Sequence, residues 1–364
     1  MSGPAGSRPG ARITPFGVAS GVLLAAAAVF PVVAPNPYYL TVATLAFINA
    51  LSALGLNLIA GYTGQLNLAH AGFAAIGAYT VGILTVDHGV PFWIAFALAG
   101  CVAAALGGLV GLVSLRLRGD YFAIFTLCVG VILYLGIEKW EGLTHGVVGI
   151  MDVPAAPALG PISFATDAGG YYLALAMLAL GLWVMRRVAT SLTGRGFVAV
   201  RNGEALAEAL GINPMRTKLT AFMVSTFYAG IAGALYAGQV RFLGPDIAHT
   251  TRTFDTLICV LVGGMGTLLG PVVGAVAVSW LTQALQDLQD YRMVVFGPLL
   301  ILILMFFPHG IVGSIERRWG RRQAAAIEAR RARAGAPRPA PAGPVLGSGS
   351  DAAPATVLRA PPHA

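Results

Sequence analysis

Charge is what this sequence has least of. Only 10% of its 364 residues are Asp, Glu, Lys or Arg, against about 25% in soluble domains, and from Ala19 to Leu115 the single formal charge is Asp87. With 57% hydrophobic residues beside that scarcity, an ordinary water-soluble domain is excluded. Lysine is nearly absent. Lys139 and Lys218 follow Glu138 and Thr217, so the Gly-Lys-Ser/Thr run that cradles a nucleotide phosphate does not occur and the chain binds no ATP in that way. Cys101, Cys128 and Cys259 each stand alone in an apolar run, without CxxC or Cys/His spacing, which leaves no basis for a disulfide framework or a structural zinc site. HExxH, GxSxG and paired intramembrane carboxylates are also missing, so neither a catalytic constellation nor a metal centre is expected. An ion relay through a bilayer would have to lean on Asp255, which reads more simply as the outer start of a helix.

Long apolar runs are abundant, and about 20 such residues cross a bilayer. Crossings are expected at Phe16–Val33, Tyr38–Ala60, Gly61–Val86, Phe92–Leu115, Tyr121–Ile137, Tyr171–Met185 and Leu219–Val240. The block Phe254–Leu285 is divided by Gly263, Gly264, Gly266 and Gly270, and Met293–Phe307 closes the series. Its first half, Phe254–Val262, is short for a full crossing, so a re-entrant or broken helix is an alternative there. Counting the block as two crossings gives ten and puts both termini on one side. On that topology ten of the 23 basic residues before the tail face inward and nine lie in the tail. Lys139, Arg241, Arg252 and Arg292 face outward, a bias that makes the tail side cytoplasmic. The fold class is therefore an all-α polytopic membrane protein of about ten transmembrane helices with broken or re-entrant segments. Residues 1–15 read as a disordered lead, 16–312 as the membrane domain and 313–364 as a basic, largely disordered tail. The net charge of +8 belongs to loops and tail beside spans, where it meets anionic lipid rather than nucleic acid.

Two stretches break the apolar monotony. Thr193–Lys218, within a loop at 190–218, carries Arg195, Arg201, Glu204, Glu208, Arg216 and Lys218. Its centre, Phe197–Leu210, spaces apolar residues at helical intervals and ends at Gly211 and Asn213-Pro214. It reads as a short amphipathic surface helix with a face for a partner protein, or as a solvated loop between spans. The second stretch, Gly61–Thr80, gathers Gln65, Asn67 and His70 among glycines, with Asn57 just before it. Such polar groups at membrane depth line a pathway or hydrogen-bond neighbouring helices.

Five ordered blocks together resemble one family. They are GLNLIAGYTGQLNLAHAGFAAIGAYT, LRLRGDYFAIFTL, GRGFVAVRNGEALAEALGINPMRTKLTAF, LVGGMGTLLGPVVGA and FFPHGI, within Leu51–Ile311. In order and spacing they are similar to the LivM-type permease of branched-chain amino acid ABC importers. The resemblance implies a ten-span subunit of the type II importer kind. Its partners would be a LivH-type permease, two ATPase subunits that use the ATP, and an extracytoplasmic binding protein. It also implies a coupling helix here, built from Gly194, Arg195, Val200, Arg201, Glu204, Leu206, Glu208, Leu210 and Gly211. Val200, Leu206 and Leu210 would form a knob for an ATPase groove, and Arg201, Glu204 and Glu208 would fix its register. Asn57, Gln65, Asn67 and His70 are the pathway candidates. Relatives on similar scaffolds handle urea and short amides, so the substrate class has an alternative; an ion-coupled transporter is a more distant one. Two departures stand out. The family's Thr-Gly-Gly-x-x-Gly-Ile pattern is Thr144-His145-Gly146-Val147-Val148-Gly149-Ile150 here, and Asn202-Gly203-Glu204 stands where the family often has an acidic pair.

Overall fold

Apolar runs without internal proline become helices, because a backbone surrounded by hydrocarbon must satisfy its own N–H and C=O groups. The computed structural model describes residues 21, 25–32, 36–117, 119–158, 163–284, 297, 305, 310–315 and 317–318. Residues 1–316 form one unit and 317–364 another, of which residues 317 and 318, both helical, are described. Nearly all of the expected crossing at Met293–Phe307, half of that at Phe16–Val33 and nearly all of the tail lie outside the described residues.

The elements in order are α1 (Pro37–Asn57), α2 (His70–Gly82), α3 (Phe92–Ser114), α4 (Asp120–Lys139), α5 (Glu141–Thr144) and α6 (Asp167–Thr190). They continue with α7 (Leu192–Asn202), α8 (Glu204–Ala209), α9 (Pro214–Val240), α10 (Thr250–Gly263) and α11 (Gly270–Ala284). Wide π turns extend α1 over Leu58–Tyr62 and α2 over Ile83–Asp87, and a 3-10 turn, Pro245–Ala248, precedes α10. Among the described residues the one β feature is a bridge between Ile150 and Leu243, so the all-α expectation holds. Among the described residues five helices are long and apolar enough to cross a membrane: Pro37–Tyr62, Phe92–Ser114, Asp120–Lys139, Asp167–Thr190 and Pro214–Val240. α2, α10 and α11 are shorter. The crossing expected over Gly61–Val86 is broken: Gly61 and Tyr62 end the wide turn of α1, Gly64–Ala69 is irregular, and α2 starts at His70. The glycine-broken block is two short helices joined by a turn over 264–269, as the glycines foretell. Asp120 is the first helical residue of α4, with Gly119 before it.

α9 is the axis of the bundle, packing against α1, α2 and α3. It does so through small residues: Gly230 meets Gly77 of α2, and Gly233 meets Ala74. On α3, Gly107 faces Thr226 and Gly111 faces Leu219 and Phe222, the close contact expected of that GxxxG pair. Without a hydrophobic force between helices in lipid, such backbone proximity is what makes dispersion contacts dense enough to hold them. Phe222 then fills the interior, edge-on to Phe73 and Phe122 with ring centroids 5.7 and 6.2 Å away. α1 is buried almost throughout, whereas α4 shows Tyr121, Ile124, Ile132 and Leu135 outward, the apolar face that a helix presents to lipid.

A bulky residue at the α3–α9 crossing should be severe. Gly230→Leu would meet Ala103, the Ala99 carbonyl and Gly100; overpacking of this kind costs about 1–3 kcal/mol or more. Folded yield in detergent, read by size-exclusion profile, is expected to collapse. Gly136→Ala, where nothing lies within 4 Å, is expected to keep or raise yield by removing a helix-weakening glycine.

Candidate functional site

Two breaks in the helical bundle meet beneath the polar interruption. The first is the wide turn at the end of α1, closed by Gln65 N–H donating to the Ile59 carbonyl at 3.0 Å. The second is the turn between α10 and α11. Asn57, buried at the end of α1, holds that second turn: its Nδ2 donates to the Thr267 carbonyl and its Oδ1 accepts from Gly266 N–H, each at 2.8 Å. Arg201 of α7 reaches down from above and donates to the Gly61 carbonyl. Its stem lies over Gly64, which sits at φ 74°, a conformation that favours glycine, and where a Cβ would come within 3.2 Å of Arg201 Cγ.

The start of α2 is built with equal economy. A helix that begins inside the protein exposes first-turn N–H groups that need partners. Asn67 Oδ1 accepts from Ala69 N–H at 3.0 Å, Thr253 of α10 accepts from Ala71 N–H at 3.0 Å, and Thr126 of α4 accepts from Leu68 N–H at 3.1 Å. His70, fully buried, pairs its Nε2 with the Ser52 carbonyl of α1 at 2.9 Å. Asn67 Nδ2 and His70 Nδ1 are buried without a hydrogen-bond partner. Thr126 and Thr253 were not foreseen. A threonine inside an apolar run more often bonds its own helix, so nothing in the sequence marked these two as caps for another.

Beside this framework lies an open cavity of about 830 Å³, lined by α1, α2, α9, α10, α11 and the 3-10 turn. Its walls mix aliphatic residues such as Val42, Leu45, Ile48 and Val278 with Asn49, Ser52, Thr251, Arg252, Asp255, Thr256, Ser279, Thr282 and Gln283. Asn49 is exposed on α1, whose other central residues are buried, because the cavity stands open there. Of the pathway candidates, Asn57, Gln65, Asn67 and His70 are not among the lining residues; His70 touches the wall through Ser52.

The polar interruption is two helices, not one. α7 ends at Gly203, whose extended backbone (φ 172°, ψ 111°) redirects the chain into α8. Phe197, Val200 and Ala207 turn inward and are buried, so Val200 is part of the base and not of an exposed knob. Leu206 and Leu210 are 67% and 71% exposed on α8 and just after it. Glu204 forms an ion pair with Lys218 of α9, whose side chain is 3% exposed. Gly194 is buried, Gly211 closes the segment at φ 83°, and Arg195 and Glu208 face outward.

On the face remote from α7 and α8, Ile150 and Leu243 exchange backbone hydrogen bonds at 3.0 and 2.9 Å, and Tyr79 donates to the Leu243 carbonyl. His145, at the position where the resembling family places a glycine, adopts the left-handed conformation (φ 61°, ψ 13°) and lies 3.3 Å from Asp87. No group of three or more metal-ligating side chains exists among the described residues.

Asn57→Leu should cost about 2–4 kcal/mol, because it strands a buried N–H and a buried C=O at the second turn; a drop in detergent melting temperature would show it. His145→Gly should raise the melting temperature, since a non-glycine residue in this conformation costs about 1–2 kcal/mol.

Residues 38–304 match the family described as branched-chain amino acid transport system / permease component. The chain is 34% identical over 293 residues to the high-affinity branched-chain amino acid transport system permease protein LivM of Salmonella typhimurium, covering 74% of this chain and 69% of that one. It is 32% identical over 269 residues to the autoinducer 2 import system permease protein LsrC of an Enterobacter strain, covering 69% and 74%. To the LivH permease protein of Escherichia coli it is 25% identical over 301 residues, covering 75% and 94%. No solved structure matches it. With this much of its length matched, and broken helices in an all-α membrane bundle, the chain belongs to the branched-chain amino acid transport system permease family.

Proposed function

We propose that this chain is the LivM-like half of a permease pair in an ATP-binding cassette importer of the cytoplasmic membrane, carrying branched-chain or related amino acids. Two separate ATPase subunits hydrolyse the ATP, a LivH-like permease completes the pair, and an extracytoplasmic binding protein delivers substrate. The names of the LivM, LsrC and LivH relatives support an import permease. One observation carries the coupling mechanism: an exposed apolar pair, Leu206 and Leu210, stands on a surface element tied by side chains to the first break and to α9.

The ATPase grips α8 through Leu206 and Leu210, with Glu208 and Arg195 at the rim. Ion pairing of Glu204 with the buried Lys218 makes α8 move with α9, because parting them would leave the Lys218 charge buried without a partner. Arg201 makes α7 move with the first turn, and Asn57 carries the motion to the second. Closing of the ATPases therefore shifts the near ends of α1, α10 and α11 together, and these helices wall the cavity. Asn57, Gln65, Asn67 and His70 serve this route as the framework of its breaks. Gly194 and Gly211 bound the moving segment. The face bearing α7, α8, both termini and the basic tail (313–364) is cytoplasmic on this reading.

Leu206→Arg is expected to lower amino acid uptake by the full complex at least roughly ten-fold while ATP hydrolysis by the partner subunits persists and membrane insertion is unchanged, as loss of a buried apolar anchor predicts. Unaltered uptake would remove α8 from the coupling surface. Arg201→Ala should uncouple in the same way while ATPase binding, measured by co-purification, is retained.

A further inference from the structure

Arg252 and Asp255 are the two formal charges on the wall of the cavity among the described residues, and the helix that carries both gives no reason for Arg252. A cation in the first turn of α10 opposes the helix dipole. No carboxylate makes an ion pair with Arg252 among the described residues. Arg252 is exposed on the cavity wall, so its guanidinium is open to an anion that enters. Arg252 and Asp255 lie one helical turn apart, so a cation and an anion share one face of α10. Val42, Leu45 and Ile48 supply an aliphatic stripe on α1, at helical spacing on the wall of the same cavity. Gly266, bonded to Asn57 near Arg201, follows the far end of α10, about 16 Å further along at 1.5 Å per residue from Arg252 to Gly263. Arg252 thus stands at the mouth remote from the coupling element.

We propose that Arg252 receives the α-carboxylate of an amino acid entering this cavity, with Asp255 meeting its ammonium group and the α1 stripe its aliphatic side chain. The inference rests on the permease reading and sharpens it. A planar fork of donors fits a carboxylate two bonds at a time, whereas urea or a simple amide offers no charge to balance it. The volume lies within the range of about 300–1,000 Å³ usual for small-molecule sites.

The test uses the full chain with Cys101, Cys128 and Cys259 replaced by alanine and Ser279, a wall residue, replaced by cysteine. In native membranes N-ethylmaleimide should label the new thiol, and leucine should slow labelling roughly ten-fold whereas leucinamide, lacking the carboxylate, should not. Arg252→Gln should abolish the effect of leucine without abolishing labelling, and Arg252→Lys should keep part of it. Equal slowing by leucine and leucinamide, undiminished slowing in Arg252→Gln, or a thiol that never labels would each overturn the proposal. Uptake by the unaltered complex in vesicles separates the two ideas. Leucine uptake without leucine protection sinks the carboxylate site alone, and absence of any amino acid uptake sinks the permease reading itself.

Discussion

A helix interrupted inside an apolar bundle releases N–H and C=O groups where no water can meet them, and each costs several kcal/mol if left alone. This chain interrupts itself twice and settles both accounts with side chains from elsewhere in the fold. Asn57 satisfies a donor and an acceptor of the α10–α11 turn, and Arg201 takes the carbonyl that the end of α1 leaves over. Thr126 and Thr253 do the same for the buried start of α2. Each repair also links elements distant in sequence, so the chemistry that makes the breaks tolerable also makes them move together.

The breaks are what give the molecule its interior space. Full-length helices packed as tightly as α3, α9 and α1 leave no room, since their contacts pass through glycine and alanine. α10 and α11 are short, and the cavity opens along them. Asn49 is exposed on its wall although most of α1 is buried. The surface element above the breaks is rigid at its base, where Phe197 and Val200 are buried, and apolar at its tip, where Leu206 and Leu210 are bare. That division suits a lever.

Much of this was legible in the sequence. The apolar runs marked the long helices to within a few residues, the glycines of the LVGGMGT stretch marked the α10–α11 turn, and the charges of Thr193–Lys218 marked the surface element. Direction was not legible. Helical spacing groups Val200 with Leu206 and Leu210, but the bend at Gly203 rotates one part of that stripe inward and the other outward. The polar cluster was visible as a cluster, yet whether Asn57 faces a pathway or a neighbouring turn depends on a contact 209 residues away in the chain. The cavity residues on α10 and α11 were hidden for the same reason, because a lone Arg252 or Ser279 gains meaning only once α1 lies opposite. His145 is the converse case: its departure from the family pattern was plain in the sequence, and its left-handed backbone explains why glycine is the usual choice.

The central claim is that the surface element and the two breaks form one rigid piece. It is tested most directly by pulsed electron-spin distance measurement in the full complex, with labels at Glu208 and Met265 for one pair and at Glu208 and His249 for another. Between nucleotide-free and ATP-trapped states the first distance should stay fixed while the second changes. A first distance that changes as much as the second would show that α8 moves without carrying the turn, and the account would be wrong.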